Sequence, residues 1–236
     1  VLYITLEMAE ERIAERIDAN LLDVTMEDLH DMPQQLYEGK ITKLREKTQG
    51  QLVIKEYPTA SAHSGHFKSL MNELALKKSF RPDVIFIDYL NICASSRFKG
   101  GNISSYFYVK AIAEELRGLA VEFNVPIFSA TQTTRTGYVS TDIGLEDTSE
   151  SFGLPATADF MFALISNEEL EALGQMKVKQ LKNRYNDPSI NRAFIIGVDR
   201  AKMRLYDVQQ KAGEIVDANQ VDEKEDAYNK FSDFKL

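Results

Sequence analysis

The chain opens on six positions that are all apolar, aromatic or β-branched, VLYITL (1–6), and then changes at once to a helical rhythm. The opening run reads as a strand. Over residues 9–19, Ile13 and Ile17 fall on one face while Glu10, Glu11, Arg12, Glu15 and Arg16 occupy the rest, the pattern of an amphipathic helix. Two weaker helical patterns cover 25–31 and 33–50, before a strand over 51–56 (QLVIKE). Phe67, Leu70, Met71, Leu74 and Leu76 predict a helix over 64–78, and Arg81-Pro82-Asp83 breaks it ahead of the next apolar run, VIFID.

Residues 95–105 (SSRFKGGNISS) are polar, basic and glycine-containing, and read as a loop. Val109, Ile112, Ala113, Leu116, Leu119, Ala120 and Phe123 then recur at helical spacing, and Asn124-Val125-Pro126 closes that helix before a strand over 127–131. Residues 133–153 have little periodicity and read as one long loop. A strand over 159–166 (DFMFALIS) and further strands over 176–182, 193–199 and 203–207 suggest a meander. From residue 216 apolar content falls and acids rise, so the expectation is one domain over 1–215 and an acidic C-terminal tail over 216–236. Near-continuous apolar strands alternating with helices predict an α/β fold, with a largely parallel sheet covered by helices on both faces.

Composition narrows this picture. With 236 residues, 44% of them hydrophobic, the chain can bury the core of one large α/β domain or two small ones. A net charge of −8 excludes a surface built throughout to grip nucleic acid and leaves room only for a local basic patch. The single cysteine, Cys93, permits no internal disulfide and reads as a small buried hydrophobe. No apolar run is long enough to span a bilayer, so the expectation is a soluble cytoplasmic protein without membrane contact. His63 and His66 (HSGH) lie near a helix start without further ligands beside them, and read as surface residues rather than a zinc site. The chain starts on Val inside a strand, which leads to the expectation that a preceding segment has been left out.

Parallel sheets bind ligands at the carboxyl ends of their strands. Three strands place a polar side chain there: Glu7, Asp88 and Gln132. An acid that closes a buried strand is costly unless it is paired or faces a cation. A nucleotide site needs such an acid to hold Mg²⁺ through its water shell, a second carboxylate to orient or deprotonate the attacking water, and an amide to contact the γ-phosphate. Any one of the three alone reads as a turn residue; together on neighbouring strands they favour the site.

TLEM (5–8), VIFIDYLNI (84–92), FNVPIFSATQ (123–132), DTSES followed by ATAD within 147–159, and QLKNRYND (180–187) carry a more specific signal. In their order and spacing the chain resembles the RecA-like motor domain of DnaB-like replicative helicases, most of all those of T-even bacteriophages, over nearly its whole length up to the tail. The resemblance implies a RecA-like P-loop NTPase core using ATP or another NTP with Mg²⁺. Glu7 then matches the catalytic glutamate, Asp88 the Walker B aspartate at the metal, and Gln132 the glutamine that senses the γ-phosphate. Lys182 and Arg184 match the basic pair that reaches the neighbouring subunit's nucleotide, Arg184 being the arginine finger. It also implies a homo-hexamer around single-stranded DNA, with Arg97, Lys99 and Gly100 in a first DNA loop and Arg135, Glu150 and Ser151 in a second. Primase and a helicase loader are the implied partners. Tyr228, Phe231 and Phe234 in the tail read either as a docking helix or as a disordered end.

Some positions depart from the family pattern. Ser149 stands where an arginine is frequent, and Pro155 and Ala156 replace acidic and amide residues. No GxxxxGK[ST] phosphate loop occurs anywhere in the chain, so the first strand and that loop are expected to be missing and the chain as given should not hydrolyse ATP. Two other readings stay open at this level. One is a RecA-like strand-exchange recombinase ATPase, sharing Glu7, Asp88 and Gln132; the other is a non-catalytic module that binds partners.

Overall fold

Alternation within the short strands decides how the sheet is built. In the computed structural model, which describes residues 1–98, 103–133, 143–147, 153–187 and 190–208, the opening run forms β1 (Leu2–Thr5). Parallel to it lie β2 (Val53–Glu56), β3 (Ile85–Asp88) and β4 (Ile127–Ser129), in the order β2-β1-β3-β4. Leu2 pairs with Ile85, Tyr3 with Phe86, Ile4 with Ile87 and Thr5 with Asp88, while Phe86 also pairs with Phe128. Because successive side chains point to opposite faces, LYIT and IFID sort into an aliphatic row and an aromatic row.

The aliphatic row makes the core. Leu2, Ile4, Ile85 and Ile87 are buried against Phe67, Met71 and Leu74 of α4 (Ser64–Lys78) and against Val109, Ile112, Leu116 and Leu119 of α5 (Ser105–Phe123). Each such side chain contributes about 1.5–3 kcal/mol on burial. Helix α5 stops at Asn124, whose φ of 52° lies in the left-handed region that asparagine tolerates. Helix α4 starts with reciprocal caps from the two histidines: Nδ1 of His63 accepts from the Gly65 amide, and Nδ1 of His66 accepts from the His63 amide. Cys93 is buried beside this core, and burial pushes its thiol up to about 12.

On the other face the rings of Tyr3, Phe86 and Phe128 stack in a row, with centroids 6.2 and 5.3 Å apart. Helix α1 (Glu10–Leu22) packs beside β2, where Glu10 accepts from Lys55 Nζ and from the Glu56 amide, and α2 (Met26–His30) and α3 (Gln34–Lys47) follow it. Helices thus flank the parallel sheet as the sequence predicts. The aromatic face nevertheless stays partly open, Phe86 at 37% and Phe128 at 47% exposure.

The later strands form a separate antiparallel meander, β5 (Phe160–Ile165), β6 (Gln175–Asn183), β7 (Ala193–Asp199) and β8 (Arg204–Asp207). Two short helices were not predicted: α6 (Gly153–Thr157), and α7 (Glu168–Ala172), which Asn167 caps by accepting from the Leu170 amide. The expected long loop contains, in its described part, a 3₁₀ turn at Leu145–Asp147, and its last residue opens α6. The Met26 amide donates to Ala201 O, and Asp23 accepts from Lys202 and Arg204, which ties the α1–α2 corner to the β7–β8 turn. Between β4 and β5 runs a groove of about 710 Å³, walled by Phe128, Gln132, Asp159, Phe160, Phe162 and Leu181 among others.

Candidate functional site

Glu7, Asp88 and Gln132 come together at the carboxyl edge of three adjacent strands, β1, β3 and β4. The backbone under Glu7 is pinned from several sides. Buried Thr5 donates its hydroxyl to Met8 O at 2.8 Å and accepts from the Met8 amide at 3.1 Å, which closes a tight turn and leaves the Glu7 side chain exposed. The Leu6 amide donates to Asp88 O, and Thr59 Oγ1 donates to Leu6 O.

Asp88 ends β3 and accepts a 2.9 Å hydrogen bond at Oδ2 from the Tyr3 hydroxyl. Burial, then that bond and the aspartate's charge, push the Tyr3 phenol well above its ordinary range, with Arg16 on α1 opposing in part. Gln132 Nε2 donates to the Tyr89 hydroxyl at 3.1 Å, and the Leu90 amide donates to Ala130 O. The ends of β3 and β4 are therefore bonded to each other through main chain and side chain. Beside Gln132, Thr131 Oγ1 is buried with no hydrogen-bond partner among the described residues.

Lys182 and Arg184 lie on the other sheet, at the end of β6. Lys182 Nζ donates to the carbonyls of Pro155 and Ala156, and Arg184 donates to Ala156 O at 3.0 Å and to Asp159 Oδ1. The Pro155 and Ala156 departures thus sit where only backbone oxygens are used, and any residue supplies those. Asp159 Oδ1 also accepts from Arg117 of α5 at 2.9 Å, and this bond chiefly holds the carboxyl below its usual range, against burial. Burial, then the charge of Arg184, lowers Lys182.

Arg97 is the described member of the expected first DNA loop. Its guanidinium pairs with Glu114 at 2.5 Å. The neighbouring Glu115 accepts from Ser64 Oγ, Ser95 Oγ and the Ser96 amide at 2.6–3.0 Å, so one carboxylate gathers the start of α4 and the start of that loop onto α5. Lys99, Gly100, Arg135, Ser149, Glu150, Ser151 and the tail over 216–236 lie outside the described residues.

Six partners were missed in the sequence: Tyr3, Tyr89, Asp159, Arg117, Glu114 and Glu115. Tyr3 had a signal, since it stands two residues from Thr5 and so shares its face. Asp159 ends the ATAD motif, but nothing in one dimension links it to Arg117. Among the described residues no group of three or more His, Cys, Asp or Glu could hold a metal ion, and no described helix is long and apolar enough to cross a membrane.

Comparison with known proteins bears on this geometry. Residues 1–213 match the model of the family described as the DnaB-like helicase C-terminal domain. The chain is 44% identical, over 98% of its length, to a DnaB-like replicative helicase of Enterobacteria phage T4, and it spans 50% of that protein. Over 56% of its length it is 34% identical to a probable plasmid replicative DNA helicase of Chlamydia trachomatis, of which it spans 28%. It thus spans about half the length of the phage relative and less of the plasmid one. Among solved structures, an ATPase domain superposes with a TM-score of 0.71 at 17% identity, over 89% of this chain and 75% of that one. A DnaB-like replicative helicase, described with its interactions with primase, superposes at 0.70 and 16%, over 88% of this chain and 50% of that one. At such identities these two speak for the fold alone.

Proposed function

The chain belongs to the DnaB-like helicase C-terminal domain family, and from that premise we propose that it is the motor of a replicative DNA helicase, driven by ATP and moving along single-stranded DNA. The observation that carries the reading is the convergence of Glu7, Asp88 and Gln132 on one edge of β1, β3 and β4, Asp88 and Gln132 with side-chain hydrogen bonds of their own and Glu7 on a turn closed by Thr5 and Met8. The donor set suits Mg²⁺ brought with a nucleotide: one strand-end carboxylate, Asp88, held by Tyr3, and no self-sufficient protein cage among the described residues. When bound, the ion neutralises charge on the phosphates. The phosphate cradle itself is not among these 236 residues, and we assign it to the length of the relatives that this chain does not span. The 236-residue chain alone is therefore expected to turn over no ATP.

In this reading Glu7 accepts the proton of the attacking water, and its exposed position on a pinned turn suits that task. Gln132 contacts the γ-phosphate, and its bond to Tyr89 is available to break when it does so. Lys182 and Arg184 act across a subunit boundary of a homo-hexamer, where a guanidinium neutralises charge spread over phosphoryl oxygens. Residues 1–215 make the motor and 216–236 a tail; Arg97, Lys99, Gly100, Arg135, Glu150 and Ser151 face the DNA. Primase and a loader are the expected partners, in the cytoplasm of a bacterial host. The Lys-x-Arg pair at the end of β6 and the family match speak for the helicase against the recombinase and the non-catalytic module.

The test uses the full-length protein: ATP hydrolysis with and without single-stranded DNA, and duplex unwinding. Hydrolysis stimulated by DNA and abolished in Glu7→Gln, with nucleotide binding retained, is the expected result. DNA-independent hydrolysis, or an active Glu7→Gln variant, would overturn the assignment.

A further inference from the structure

Arg117 on α5 and Arg184 after β6 meet on a single oxygen, Oδ1 of Asp159. Arg184 is held at further points: its guanidinium donates to Ala156 O at 3.0 Å, and its amide donates to Asp159 O at 2.9 Å. Its long side chain is thereby fixed in one conformation, with the entropy of that fixation already spent within the subunit. The cluster is neither sealed nor free in solvent, since the Arg117, Asp159 and Arg184 side chains are 41, 34 and 39% exposed. Asp159 and Arg117 stand on the wall of the groove that also receives Gln132.

We infer that Asp159 is the positioning residue of Arg184, a holding site from which the guanidinium is presented, and that Arg117 is the counter-charge that makes release easy. This rests on reading Arg184 as the arginine that acts on a neighbouring subunit. A partly exposed carboxylate with one cationic partner would lose its whole pairing when that partner departs, a modest cost that solvent screens but does not cancel. Asp159 keeps Arg117 after Arg184 leaves, because the two guanidiniums bond to the same oxygen independently. Arg117 lies on α5, the helix whose Glu114 and Glu115 hold residues 95–97, so the counter-charge is carried by the element that anchors the expected DNA loop. Asp159 and Arg117 therefore have distinct effects: losing Asp159 leaves the Arg184 side chain loosely placed on Ala156 O, whereas losing Arg117 leaves Arg184 held too firmly.

The experiment is a double-mutant cycle in the full-length helicase, reading kcat and KM for DNA-stimulated ATP hydrolysis, with single-turnover rates where activity is low. Arg184→Ala should lower kcat about a thousandfold or more. Asp159→Asn should lower kcat roughly ten- to a hundredfold with KM nearly unchanged, as expected when a group acting only in the transition state is misplaced. In the Arg184→Ala background Asp159→Asn should cause no further loss. Arg117→Gln, which keeps Asp159 and Arg184 paired, should also lower kcat while leaving the melting temperature close to that of the parent. Losses that multiply in the double variant would overturn the proposal and leave the trans role of Arg184 standing, as would wild-type kcat in Asp159→Asn. Wild-type hydrolysis in Arg184→Ala would overturn both.

Discussion

Tyr3 on β1 donates its phenolic hydrogen to Oδ2 of Asp88 on β3 at 2.9 Å, two positions along the ladder from the Thr5–Asp88 pair and on the same face. A residue outside every recognised motif thus sets the orientation of the carboxylate expected to face the metal. Tyr3→Phe keeps the ring stacked on Phe86 and removes only this bond. A hydrogen bond to a charged group contributes about 1.5–3 kcal/mol, so kcat/KM for ATP should fall roughly ten- to a hundredfold, with a higher Mg²⁺ requirement and a melting temperature lower by several degrees. A Mg²⁺ titration of hydrolysis checks it; an unaltered midpoint would reduce Tyr3 to a packing residue.

Arg97 is bonded to Glu114 before any DNA arrives. Exposed ion pairs of this kind are worth little, so the guanidinium can exchange onto a phosphate. Glu114→Gln should tighten single-stranded DNA binding with the log–log salt slope nearly unchanged, and Arg97→Ala should flatten that slope by about 0.7. Binding isotherms over a salt series measure both, and identical slopes in the two variants would take Arg97 away from the DNA.

Thr5 is buried and its hydroxyl both donates and accepts at Met8. Thr5→Val fills the same space but strands the Met8 amide, a cost of about 1–3 kcal/mol. A chain of this size should lose several degrees of melting temperature, about 2–4 °C per kcal/mol. Hydrolysis should fall at temperatures where the variant is still fully folded, because the turn carrying Glu7 loosens. Normal kcat in the folded variant would show that the turn holds without its clamp.

Glu115 supplies the pH dependence. Burial would raise its carboxyl, but hydrogen bonds from Ser95, Ser96 and Ser64 outweigh burial and hold it below its usual value. A depressed folded-state value means that the stabilisation is fully present above the unfolded carboxyl's pKa of about 4.3 and is lost as pH falls through the folded value. Glu115→Gln should therefore melt lower than the parent near neutrality, and the gap should narrow in acid. Melting curves from neutral to acid pH decide it: a gap independent of pH would assign the effect to packing.

Much of this was readable in one dimension, for identifiable reasons. The helix over Ser64–Lys78 was placed to the residue because a broken apolar rhythm and Pro82 bound it. Helices α6 and α7 are five residues each, too short for a period to register, although Asn167 before two glutamates was a capping signal. The strands read as uniformly apolar, so the sequence could not say that Tyr3, Phe86 and Phe128 would share a half-open face; only the register between strands reveals it. Likewise Glu7, Asp88 and Gln132 could be placed at strand ends one by one. The residues that hold them and Arg184, namely Tyr3, Tyr89 and Asp159, depend on which strands and helices become neighbours.

The groove between β4 and β5 has a bearing on how this polypeptide behaves at the bench. Among the described residues β4 pairs only with β3, and β5 only with β6, so each presents a row of backbone donors and acceptors to the gap. The β5 sequence, FMFALI, has no charge, no proline and no glycine, and Phe160, Phe162 and Leu164 are about half exposed. Such an edge is a template for pairing with another chain. Concentrating the 236-residue chain by itself would drive edge-to-edge self-association through this segment, and solubility would track how well the edge is shielded rather than the net charge of the molecule.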